Sequence, residues 1–176
     1  IYIAVFGGLR LGEICGLEWK DVNFKSGLIK IQRSSQYVDG RGIITKSPKN
    51  ETSKRGIFLP EITINLLRKY KVWQNSQKSV LGNLWIDTDR IFTTNDDKYI
   101  YPDTISKWFH KFLKRHNEKI MEDNSIPKKE KNKYLLPLIK FHGLRHTNAT
   151  LMLADGTDLP TVSKRLGHAQ TSTTLN

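Results

Sequence analysis

The apolar positions of this chain change period several times, and each change marks a new element. Residues 1–6 are continuously apolar and read as the end of a helix, which Gly7 and Gly8 break. Residues 9–19 follow as a second helix, with Leu11, Ile14, Cys15 and Leu17 on its buried side. Alternating patterns at 27–32, 42–46 and 56–59 predict three strands, with the cluster Ser47, Pro48, Lys49 and Asn50 turning between the last two. A three-stranded antiparallel sheet is the simplest arrangement. Beyond Pro60 the period becomes helical, with Ile62, Leu66, Tyr70, Trp73 and Gln77 three or four apart. Residues 90–94 read as a short strand or extended loop. Residues 103–117 form an amphipathic helix that groups Ile105, Trp108, Phe109 and Phe112 as its core face. The polar stretch 118–133 reads as a surface loop whose Lys128, Lys129, Lys131 and Lys133 are solvated. Helices at 143–154 and 159–166 flank Gly156, and another begins at Thr171. The fold class is α+β, a mostly helical domain with a small three-stranded antiparallel sheet.

Composition narrows the functional classes. The chain has 176 residues, 29 Lys and Arg against 17 Asp and Glu, and a formal net charge of +12. Such a surface attracts polyphosphate backbones or anionic membranes. No apolar run approaches the ~20 residues of a membrane span, so a membrane partner is not expected. The single cysteine, Cys15, allows neither an internal disulfide nor a multi-cysteine zinc site, and a cytoplasmic setting is expected. His142 and His146 are spaced like zinc ligands, but Gly143 stands where a zinc protease carries its general base. No metal or cofactor is expected.

The remaining candidates are cations and imidazoles. Arg10 follows the Gly-Gly break, Lys46 ends a strand, His142 and Arg145 are three apart on one helix face, and His168 follows Leu166 and Gly167. Together they could surround a phosphodiester, with guanidinium forks matching its non-bridging oxygens. Phosphoryl transfer builds charge on those oxygens, so such a cradle would favour the transition state.

The segment GLRLGEICGLEWKDV, from Gly8, resembles the first signature box of the tyrosine site-specific recombinases, the phage-integrase family. HGLRHT, from His142, resembles the second box, and Leu166-Gly167-His168 with Ser172-Thr173-Thr174 its continuation. Residues 44–57 are similar to the family's lysine-bearing β-hairpin, with Lys49 and Lys54 beside Lys46. The four elements come in the family's order and spacing. The resemblance implies a catalytic domain over residues 1–176, a fragment without the family's N-terminal DNA-binding domain and C-terminal tail. It implies that Arg10 and Arg145 clamp the scissile phosphate with His142 assisting. Lys46 would protonate the departing 5′ oxygen, His168 would hydrogen-bond the phosphate or the nucleophile, and Glu13 would orient the active-site cations. The implied function is site-specific DNA recombination or integration through a 3′-phosphotyrosine intermediate. The implied partners are duplex DNA and further protomers in a tetrameric synapse. The family's tyrosine would fall immediately after Asn176, so the 176-residue chain is expected not to cleave DNA covalently.

Overall fold

A computed structural model describes residues 1–47 and 54–167. Two short helices open the chain, α1 (Tyr2–Gly7) and α2 (Leu11–Gly16). Five strands follow: β1 (Val22–Asn23), β2 (Leu28–Ile31), β3 (Ser34–Val38), β4 (Gly42–Lys46) and β5 (Arg55–Phe58). The longer helices α3 (Glu61–Leu81) and α4 (Pro102–Glu122) come next, then α5 (Gly143–Ala154) and α6 (Leu159–Leu166). The α+β class and the three-stranded antiparallel sheet are as the sequence predicts, but the sheet's membership differs.

Its order is β1-β2-β5, while β4 pairs with β3 in a separate two-stranded ribbon. Ile31 stands opposite Arg55 and Ser34 opposite Lys46, so β5 and β4 pair with successive stretches of the chain. The break between them is Gln32-Arg33, where the Arg33 guanidinium turns in to Asp21 at 2.5 Å. Strand β3 escapes the hydrophobic pattern because its buried residue is a serine. Ser35 is 3% exposed and meets the Thr45 hydroxyl at 2.9 Å across the ribbon.

The core gathers where β2 and β5 face the helices. Ile29 and Ile57, directly opposed and closed to solvent, pack with Ile3, Leu9, Leu17, Ile64, Leu67 and Ile91. Helix α4 adds Phe109 and Leu113, four apart, and Phe109 meets Phe141 edge-on at 5.5 Å. Trp108 does not join this stripe. It is 46% exposed and stacks on Phe112 instead. On α3 the buried side carries Thr63, Ile64, Leu67 and Gln74, which leaves Ile62, Leu66 and Trp73 exposed.

Helix α4 also runs into the stretch read as a polar loop, ending at Glu122. Lys131 from that stretch is buried, and its ammonium donates to the Met121 carbonyl. A cation at the negative end of a helix satisfies an orphan carbonyl and complements the dipole, which is why this lysine is not solvated like its neighbours.

Candidate active site

The site is assembled around the end of α6. Asp158 caps the start of that helix by accepting the Thr161 N–H at 2.9 Å, and Gly167 ends it in the left-handed region at φ 69°. The final carbonyls of a helix lack intrahelical partners and carry its partial negative charge. Here three arginines from distant parts of the chain answer them. Arg55 Nε donates to Arg165 O at 2.7 Å. Arg145 Nη2 donates to Leu166 O at 2.7 Å, and Arg10 Nη1 reaches the same oxygen at 3.5 Å. Arg10 Nη2 donates to Gly167 O at 3.1 Å.

Local sequence fixes how each arginine arrives. Arg10 stands just before α2 in extended conformation, after the turn made by Gly7 and Gly8. Glu13, one turn into α2, reaches back so that its Oε2 accepts the Arg10 backbone N–H at 2.8 Å. Its Oε1 accepts from Arg10 Nη1 at 3.1 Å. Glu13 is 5% exposed and holds its charge because Arg55 adds two further donors at 2.9 Å, one to each oxygen. Burial raises the Glu13 pKa, but the guanidiniums of Arg55 and Arg10 outweigh it and hold the carboxyl below its ordinary range.

Arg145 is almost closed to solvent, at 3% exposure, and its Nη1 donates to Gly8 O at 2.6 Å. Burial first, then the Arg10 charge, pulls its pKa down to about 9, still above neutral pH, so the guanidinium stays charged. A guanidinium has five N–H donors, and among the described residues the bonds to Gly8 O and Leu166 O engage one on each Nη of Arg145. Donors therefore remain for a further acceptor. One carboxylate faces three guanidiniums, so the cluster stays net positive. The arrangement suits an incoming anion.

His142 lies just before α5, exposed, its ring edge-on to His146 with centroids 4.9 Å apart. Burial, His146, Arg145 and Arg10, in that order, push its pKa below the ordinary imidazole value. It is therefore neutral at pH 7 and offers one donor and one acceptor beside the arginines. Lys46 is exposed at the end of β4, opposite Ser34. Ser34 lines a cavity of about 650 Å³ together with Arg10, Tyr37, Tyr101 and Lys107. No hydrogen bond or ion pair joins Lys46 to the arginines among the described residues. His168 and Lys49 lie outside the described residues.

The structure thus brings Arg10, Glu13 and Arg145 into one cluster, with His142 in electrostatic reach, and places Lys46 on the neighbouring ribbon. It adds Arg55, to which the sequence assigned no role. In the sequence it follows Lys54 just before the predicted strand 56–59, within the stretch that resembles the family's hairpin.

Gly8 is the turn on which this convergence depends. It adopts φ 62°, and a Cβ there would lie 2.5 Å from Asn148 Oδ1 and 2.6 Å from Leu166 Cδ2. Left-handed strain and overpacking together predict that Gly8→Ala costs about 2–4 kcal/mol. Urea denaturation would show this as a lower midpoint at constant m value; an unchanged midpoint would refute the tight turn.

A cationic centre built wholly of side chains, set at a helix end of an α+β domain, describes the class. The Phage integrase family matches residues 1–176, and the chain belongs to that family. It is 30% identical over its whole length to a protein described as Tyrosine recombinase XerC-like from Caldanaerobacter subterraneus subsp. tengcongensis, covering 44% of that relative. It is 29% identical to the ICEBs1 integrase of Bacillus subtilis, over 99% of this chain and 42% of the relative. The chain therefore spans less than half the length of these curated relatives. Among solved structures, the Tn1549 transposon integrase in complex with transposon right end DNA superposes with a TM-score of 0.79. Identity there is 20%, covering 99% of this chain and 51% of that one. The XerA recombinase superposes with a TM-score of 0.67 at 22% identity, covering 98% and 49%. These two likenesses concern the fold. No helix among the described residues is long and apolar enough to cross a membrane.

Proposed function

We propose that this domain is the catalytic part of a DNA strand transferase that recombines or integrates DNA at specific sites. The observation that carries the reading is the meeting of Arg10 and Arg145 on Leu166 O, a net positive pair with donors to spare among the described residues. In this reading the two guanidiniums grip the non-bridging oxygens of one phosphodiester, and Glu13 orients Arg10. Neutral His142 donates a further hydrogen bond. His168 binds the phosphate or the attacking group. The nucleophile is a tyrosine expected immediately after Asn176. Its hydroxyl loses its proton to solvent as its oxygen bonds to phosphorus, the bond to the 5′ oxygen breaks, and Lys46 supplies the proton which that oxygen takes up. Because the 3′-phosphotyrosyl link retains the bond energy, a second DNA hydroxyl can reverse the attack. No metal or cofactor enters. Duplex DNA and further protomers, four to a synapse, are the proposed partners; membranes are not.

The test incubates the complete recombinase with a target-site duplex nicked beside the scissile phosphate, so that the released fragment diffuses away and the adduct accumulates. A protein–DNA band on a denaturing gel is the expected result. DNA binding without any adduct would favour a non-catalytic DNA-binding role. Relaxation of supercoils on DNA lacking a specific site would favour a topoisomerase of related chemistry.

A further inference from the structure

The Glu13 carboxylate is shared between two guanidiniums that differ in what they can reach. Arg10 is 40% exposed in its side chain and lines the cavity. Arg55 is 7% exposed, and its Nε, Nη1 and Nη2 all point inward, to Arg165 O and the two Glu13 oxygens. These bonds hold it inside the fold. Its planar fork is nevertheless the stronger claim on Glu13, because both oxygens receive a charge-assisted bond at 2.9 Å, whereas the Arg10 side chain holds one oxygen at 3.1 Å.

We infer that Arg55 is a positioning residue of the phosphate site: it neutralises and anchors Glu13, so that the carboxylate aims Arg10 without holding it back from the phosphate. The inference rests on the function proposed above. Its physical basis is competition. A buried carboxylate with one cation for a partner binds that cation tightly, and a phosphate must then displace it. A carboxylate already forked by Arg55 keeps only a directing contact with Arg10.

Arg55 also ties three elements that carry the site. It begins β5, grips α2 through Glu13, and closes the last turn of α6 through Arg165 O. Gly167 makes room for it: a Cβ at that position would lie 2.9 Å from Arg55 Nη1, in a backbone already at φ 69°. One guanidinium thus sets the spacing between Arg10 and the chain that leads to His168.

A purely structural ion pair predicts different mutant behaviour. The experiment uses the complete recombinase and the nicked target duplex at saturating DNA, and reads the single-turnover rate constant and the amplitude of adduct formation separately. A fold defect lowers the amplitude, since fewer molecules are competent; a misheld Arg10 lowers the rate constant. Arg55→Gln is expected to slow the rate constant about 10–100-fold, the range seen when the orienting partner of a ligand-binding side chain is removed. Glu13→Gln added to Arg55→Gln is expected to restore several-fold of that loss, because it removes the unopposed carboxylate. Arg55→Lys, which keeps the charge but not the fork, should fall between wild type and Arg55→Gln. It carries the same test should Arg55→Gln not fold. A double variant slower than Arg55→Gln alone, or a loss confined to amplitude, would overturn the inference while leaving the proposed function standing. A wild-type protein that forms no adduct would remove that function and this inference with it.

Discussion

Replacing Arg145 with alanine in the complete recombinase should cut the rate of covalent DNA cleavage by about 10³–10⁵-fold, the range for a guanidinium that stabilises transferring phosphoryl charge. Two features set the size of the effect. The side chain sits in a dry, low-dielectric position, 3% exposed, where a charge acts strongly on a neighbouring anion. It also organises the site by bonding Gly8 O on one side and Leu166 O on the other, which ties the turn before Arg10 to the end of α6. Arg145→Lys should recover little, since an ammonium cannot span both carbonyls and still present a fork to phosphate. Single-turnover assays on the nicked duplex measure this, with circular dichroism verifying the fold. Retention of more than about a tenth of the wild-type rate would show that Arg145 does not act on the reacting phosphate.

Lys46 gives the second large effect, through a different physical step. If it supplies the proton to the departing 5′ oxygen, Lys46→Ala should slow cleavage by about 10²–10⁴-fold. A substrate with sulfur at the 5′ bridging position has a better leaving group and needs little protonation. That substrate should restore the Lys46→Ala variant but not Arg10→Ala or Arg145→Ala, which lack charge stabilisation. Equal rescue of all three, or of none, would remove Lys46 from the role. Rescue of Lys49→Ala or Lys54→Ala instead would move the assignment along the hairpin. Lys46 is exposed at the end of β4, opposite Ser34, and among the described residues it makes no bond to the arginines. The sulfur substrate therefore separates the three lysines by chemistry.

How much of this was legible beforehand depended on what each residue needed from its surroundings. Arg10, His142 and Arg145 stand beside a glycine break and at a helix start, so the sequence could single them out as candidate cations and imidazoles, and the family resemblance supplied their roles. Glu13 entered only through the family resemblance, as an acidic residue three positions after Arg10. Arg55 was not, because its importance lies in contacts with Glu13 and Arg165 O that no local pattern encodes. The two-sheet arrangement was hidden similarly. Hydrophobic alternation finds strands that bury apolar side chains, as β2 and β5 do with Ile29 and Ile57, but β3 buries Ser35 against Thr45. Trp108 and Lys131 failed in opposite directions, one an aromatic left exposed, the other a lysine drawn inward by the end of α4. Both outcomes follow from tertiary neighbours rather than from residue type.

The chemical identity of the attacking group tests the central claim most directly. Two tyrosines, Tyr37 and Tyr101, line the same cavity as Arg10, their rings 5.4 Å apart, so the fold itself contains rival hydroxyls. Trapping the adduct of the complete recombinase on the nicked duplex, digesting it and sequencing the nucleotide-linked peptide by mass spectrometry identifies the linked residue. The account predicts a 3′-phosphotyrosyl link at the residue immediately following Asn176, formed far more slowly when Arg10 or Arg145 is replaced. A link at Tyr37, Tyr101 or any other residue within 1–176 would contradict it.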